Sequence, residues 1–179
     1  MRLHGFTLIE SVMVLIIIGI LIVFVAPILT TAVGAYDQTS RNIEVLTKIR
    51  YTMERLAREM RSIRRDPVNT ANYDIVTGSM TASTFEFCRA DGTRVTISYS
   101  NPNLKLGYTT GFASSCSASA ATTQNLSDAA TSFTMAYVTA AGGVAAGKND
   151  VAYVDITMTT TGTSTLAYTS SMRVDMRNP

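Results

Sequence analysis

One acidic residue, Glu10, stands at the mouth of a long apolar run, and the stretch Val12–Leu29 behind it carries no charge. A carboxylate inside an apolar span costs roughly 2.5–3.5 kcal/mol on membrane-insertion scales, so it marks a function and calls for a cationic partner. The bland reading leaves Glu10 at headgroup level, snorkelling to water. Ahead of it lies the seam Gly5–Phe6. A secretory signal peptide is cut after its apolar region; here the one plausible processing site comes before it. His4 is the sole histidine and precedes the seam, and the chain has no tryptophan. Beyond Gly5, serine–histidine triads, cysteine–histidine nucleophiles and histidine-bound metals are therefore out of reach. Asp91, Asp128, Asp150 and Asp155 form no recognisable acid–base constellation. Asn149, Asp150 and Asp155 offer oxygen ligands for calcium, but at a spacing that matches no established loop. The expectation is a non-enzyme with no cofactor and no resident metal.

The elements that must position Glu10 follow from hydropathy. Counted from Phe6, the apolar segment is long enough to cross a bilayer as a helix, even though its many β-branched residues would be poor helix formers in water. Arg2, with His4, holds the short leader on the cytoplasmic side and sends the remainder outward. Gly19 and Pro27 interrupt the segment; proline removes a backbone donor and predicts a kink or local melting near Ala26.

Past Leu29 the composition changes while the helical period continues. Ile43, Leu46, Ile49, Met53, Leu56, Met60 and Ile63 form one apolar stripe. The other faces carry alternating charge, with Glu44–Lys48 and Glu54–Arg58 in the favourable acid-before-base order. Asp66-Pro67 is the expected stop. A single helix from about Phe6 to Arg64 would run about 85–90 Å at 1.5 Å per residue. Arg61, Arg64 and Arg65 make a small basic end, read as compensation of the helix dipole in preference to a DNA contact.

From about Tyr73 onward the pattern is β. Thr84–Cys88 and Arg94–Tyr99 alternate across the turn signal Ala90-Asp91-Gly92-Thr93, and Ser132–Tyr137 repeats the alternation. Val154, Ile156 and Met158 share a face in a further strand, and Leu166, Tyr168, Met172, Val174 and Met176 in the last, with Arg173, Asp175 and Arg177 facing out. The expected fold class is α+β: four or five antiparallel strands in one sheet, with the helix stripe laid across it. The small-residue tracts Ala113–Thr123 and Thr139–Gly147 read as surface loops, with subunit contact or adhesion as the other use. The expected organisation is a leader at 1–5, a membrane-spanning helix at 6–29, its amphipathic continuation at 30–66 and a β-rich headpiece at 67–179.

Met1-Arg2-Leu3-His4-Gly5 followed by Phe6-Thr7-Leu8-Ile9-Glu10 resembles the class III leader of type IV pilins and type II secretion pseudopilins. Glu54–Arg61 and the closing Arg173–Pro179 resemble segments of minor pilins, including those of the mannose-sensitive haemagglutinin pilus, and of J-type pseudopilins. The resemblance implies cleavage after Gly5 by a prepilin peptidase, methylation of Phe6, and assembly on an inner-membrane platform into a homo- or hetero-filament. The freed Phe6 amine, with a reference pKa of roughly 7.7–8.0, is mostly protonated at neutral pH. On a neighbouring subunit it is the cation a buried Glu10 needs, setting axial register more than affinity, because desolvation offsets much of the attraction. Gly19 and Pro27 then mark a stretch that unwinds as subunits leave the membrane, beside the plainer reading of a proline kink.

The expected course is single-pass insertion with the amino terminus in the cytoplasm, then residence in a pilus or periplasmic filament. In that oxidising compartment Cys88 and Cys116 should pair, contributing roughly 3–4 kcal/mol over a loop of about thirty residues, with free buried thiols as the alternative. The resemblance implies a minor pilin; the alternatives are a J-type pseudopilin, an adhesive or DNA-capturing tip subunit, and a single-pass membrane sensor whose leader is coincidental. A formal charge of +2, or +1 without Arg2, implies no strong polyanion partner.

Overall fold

The computed structural model describes residues 7–76, 78–109, 122–162 and 166–176. It is α+β: one long helix, α1 (Leu8–Arg61), and seven strands in two antiparallel sheets. The chain divides after Asn42 into two compact units, and α1 contributes to both.

In the first unit α1 is apolar on all sides from Val12 to Leu29, and every residue from Thr7 to Arg41 is exposed. It holds one stretch long and apolar enough to cross a membrane. The helix continues through Pro27 without a break. The local melting expected near Ala26 is therefore absent here, because flanking residues supply every other rung of the ladder and only one donor is missing.

In the second unit the strands are β1 (Thr84–Cys88), β2 (Arg94–Ser100), β3 (Asn103–Thr109), β4 (Thr122–Ser127), β5 (Ala130–Val138), β6 (Tyr153–Thr161) and β7 (Ala167–Asp175). Their order is β1-β2-β3-β4 in one sheet and β5-β6-β7 in the other. The expected turn forms between β1 and β2: Gly92 has φ +80°, Arg89 N–H donates to Thr93 O at 2.9 Å, and the Asp91 carboxylate accepts from Thr93 N–H at 2.9 Å. A residue with a Cβ is strained at that φ, so glycine suits the turn.

The single sheet of four or five strands is corrected to two sheets, one of four strands and one of three. β3 alternates Leu104 and Leu106 inward, a signal present in the sequence. β4, Thr-Thr-Gln-Asn-Leu-Ser, has no alternation to read; it is an edge strand held by pairing with β3. It takes in Thr122 and Thr123, the end of one small-residue tract; residues 113–121 of that tract lie outside the described residues. Residues 139–147 link β5 to β6 as turns, as expected. Leu166 is exposed and precedes β7, whereas Val174 and Met176 are buried.

One hydrophobic cluster joins the helix stripe to both sheets: Ile49, Met53, Leu56, Met60 and Ile63 with Phe85, Phe87, Ile97, Leu104, Phe133, Ile156 and Val174. The stripe is covered only from Ile49 on; Ile43 and Leu46 are exposed. The helix also stops at Arg61, ahead of Asp66-Pro67. Tertiary pairing intervenes, since Ile63 bridges to Arg89, Arg65 bridges to Tyr73, and Arg64 N–H donates to Cys88 O at 2.8 Å.

Candidate functional site

Thr7 caps α1. Its carbonyl accepts from Glu10 N–H at 3.1 Å and Ser11 N–H at 3.2 Å, and its Oγ1 accepts from Glu10 N–H at 3.3 Å. Thr7-Leu8-Ile9-Glu10 is the spacing of a capping box, a signal legible in the sequence that hydropathy alone passes over. Glu10 sits in the first turn with its side chain exposed, where the positive end of the helix dipole favours a carboxylate. Its acid therefore stands at the helix entrance and is uncovered, like every other residue of this half of the helix. Gly5 and Phe6 lie outside the described residues, so the seam and its amine carry no geometry.

Two turns further on, a Cβ at Gly19 would meet nothing within 4 Å, so nothing inside the chain demands glycine there. At Pro27 the hydroxyls of Thr30 and Thr31 both donate to its carbonyl at 2.9 Å. Such back-bonding tends to bend a helix slightly.

The headpiece contains a buried ionic cluster around Glu59, which the sequence does not set apart from the other alternating charges of the helix. Glu59 is 5% exposed. Its Oε1 accepts from the Tyr108 hydroxyl at 2.7 Å and lies 3.0 Å from Arg55 Nη2; Arg89 Nη1 is 3.8 Å from Oε2. Arg55 also donates to the Tyr108 oxygen at 2.8 Å. The cluster fastens α1 to β3 and to the β1–β2 turn.

Other charges are committed differently from the expected pattern. Glu44–Lys48 forms at 2.9 Å, but Glu54 pairs backward with Arg50 at 2.9 Å in place of Arg58. Arg64 contacts Asp74 at 2.7 Å, and Arg65 stacks 4.3 Å from the Tyr73 ring centroid, so two of the three basic-end arginines serve the local fold. Asp155 is held by both arms of Arg173 at 2.7 Å, which depresses its pKa, and Asn149 accepts from Asn72 at 2.9 Å. Two of the three side chains considered for calcium, Asn149 and Asp155, are thereby engaged elsewhere. Cys88 is fully buried at the end of β1, and no free cysteine occurs among the described residues. Its expected partner, Cys116, lies outside the described residues.

Two tyrosines make the headpiece sensitive to high pH. Burial, then the bond to Glu59, pushes the Tyr108 hydroxyl up; burial alone pushes Tyr137 up further, and its hydroxyl donates to Thr81 O at 2.9 Å. Both folded-state pKa values exceed the unfolded value of about 10, so their contribution is complete below that pH and is lost as pH rises through the folded values. Urea midpoints should therefore hold up to about pH 10 and fall above it, and Tyr137→Phe should flatten the fall; an unchanged slope in that variant would count against the assignment.

No protein-family model matches the chain, and no curated protein matches it.

Proposed function

We propose that this chain is a structural subunit, a minor pilin, of a type IV pilus or pilus-like filament. The observation that carries the reading is a continuous 54-residue helix whose first half is apolar and exposed on every side, with Glu10 in its first turn. That surface cannot stay in water; lipid covers it first and the helices of neighbouring copies afterwards. The β headpiece stays outside the membrane, and Arg2 with His4 sets that orientation.

In this scheme a prepilin peptidase cuts between Gly5 and Phe6 and methylates Phe6. An assembly platform in the inner membrane then moves the subunit from bilayer to fibre. Glu10 answers the Phe6 ammonium of a neighbour, so that a subunit one step out of register leaves both charges unpaired among apolar side chains. Cys88–Cys116 closes the headpiece loop. The protein performs no chemistry of its own and is the substrate of the enzyme that trims it.

Intact mass of membrane-extracted protein should show a chain beginning at a singly methylated Phe6. Glu10→Ala should still be trimmed but should enter sheared fibres at least about tenfold less often, the ratio that 1.4 kcal/mol of lost register corresponds to. Recovery of a chain that still begins at Met1 would remove the cation and end the proposal.

A further inference from the structure

The headpiece carries a groove with an open strand edge on one wall and helix α1 on the other. It has a volume of about 560 Å³ and is floored by Leu46, Ile49, Met53, Tyr168 and Met172. Five consecutive residues of β7, Tyr168–Met172, line it. Both faces of a strand line one groove only when its edge is open, and among the described residues β7 pairs with β6 alone.

The groove's charge is as telling as its floor. A second concavity, lined by Glu54, Ala57, Arg58, Arg61 and Met172, continues the first, since Glu54 and Met172 belong to both. Glu54 is occupied by Arg50 at 2.9 Å. Arg58 and Arg61 are exposed and have no carboxylate partner among the described residues. The groove is thus apolar at the Leu46 end and doubly positive at the Arg61 end. From Leu46 to Arg61 the helix advances about 22 Å, the span of about six or seven extended residues.

We propose that this groove receives an extended segment of a partner protein, added as a strand to β7, with alternate apolar side chains on the floor and acidic residues over Arg58 and Arg61. Main-chain bonds to the open edge supply the pairing, and the two ends of the groove supply the sequence preference. β7 runs from Tyr168 at the apolar end to Met172 at the basic end. An antiparallel guest, the better-bonded arrangement, therefore carries its acids at its amino end. The inference needs only the headpiece and stands whether or not the chain assembles into a fibre.

The test uses the full chain in detergent micelles and a fluorescent heptapeptide, Asp-Glu-Val-Thr-Val-Thr-Val, read by anisotropy against a twin in which lysines replace the two acids. The acidic peptide should bind at least about tenfold more tightly, and amide exchange at Thr169–Met172 should slow when it is present. Arg58→Glu with Arg61→Glu, both at exposed positions that spare the core, should reverse the preference. Leu46→Arg should weaken both peptides. Equal binding of the two peptides, a preference that survives the double charge reversal, or no binding at millimolar peptide would each overturn the proposal.

Discussion

Phe85→Ala should lower the unfolding free energy of the headpiece by about 3–5 kcal/mol, the range for emptying a buried phenylalanine site. Phe85 is completely buried on β1. Its ring centroid lies 5.2 Å from Phe87 on the same strand and 5.3 Å from Tyr137 on β5, the first strand of the other sheet. The ring is therefore a contact by which two separately hydrogen-bonded sheets share one core. Tilted aromatic pairs contribute about 0.5–1.5 kcal/mol beyond area burial, which places the expected loss at the upper end of the range. Phe85→Leu keeps much of the volume and should cost markedly less. Urea unfolding of the full chain in detergent, followed by circular dichroism, measures both variants. A loss below about 1 kcal/mol for Phe85→Ala, at the level of an ordinary surface change, would mean that the sheets do not depend on this contact.

Glu59→Ala should cost about 2–3 kcal/mol. Removing one member of a buried ion pair commonly costs about 3–5 kcal/mol, because it strands the other charge. Here Arg55 and Arg89 keep about a third of their side-chain surface in water, which softens the loss. The Tyr108 hydroxyl, however, loses its acceptor at 2.7 Å. Glu59→Gln retains an oxygen for Tyr108 and should lose about half as much. Combined with Tyr108→Phe in a double-mutant cycle, Glu59→Ala should show coupling of about 1 kcal/mol, since the two touch directly. Strict additivity would show that the hydroxyl bond contributes nothing to stability.

Local pattern made several elements legible in advance. The apolar run and the stripe at Ile49, Met53, Leu56, Met60 and Ile63 announced the helix, because a period near 3.6 and a bilayer-length apolar segment are properties of neighbouring residues alone. Asp91-Gly92 announced the first hairpin for the same reason. What eluded the sequence is non-local. β4 has a single apolar residue, Leu126, too few to show an alternation, and becomes a strand only because β3 presents an edge to it. Glu59 looks like any other charged helix residue until Tyr108, some fifty positions later, closes over it. The preference of Glu54 for Arg50 over Arg58 is likewise undecidable from spacing, since both partners lie four residues away.

For the candidate site the balance differs between the two units. Glu10, Thr7 and Pro27 announce themselves in the sequence, because an acid, a cap and a missing donor stand out on a helix that is otherwise almost wholly apolar. The groove beside β7 could not be read that way. Tyr168 and Met172 were expected on a buried face, and Arg58 in an ion pair; only folding leaves the first two half-open beside Leu46 and the third without a carboxylate. By itself the amino-acid order determined where the chain is greasy, where it turns and which acid sits among apolar neighbours, because those are short-range matters of composition and period. The tertiary structure alone decided which strand edge stays open and which charges are left over, because both depend on what distant parts of the chain have already used.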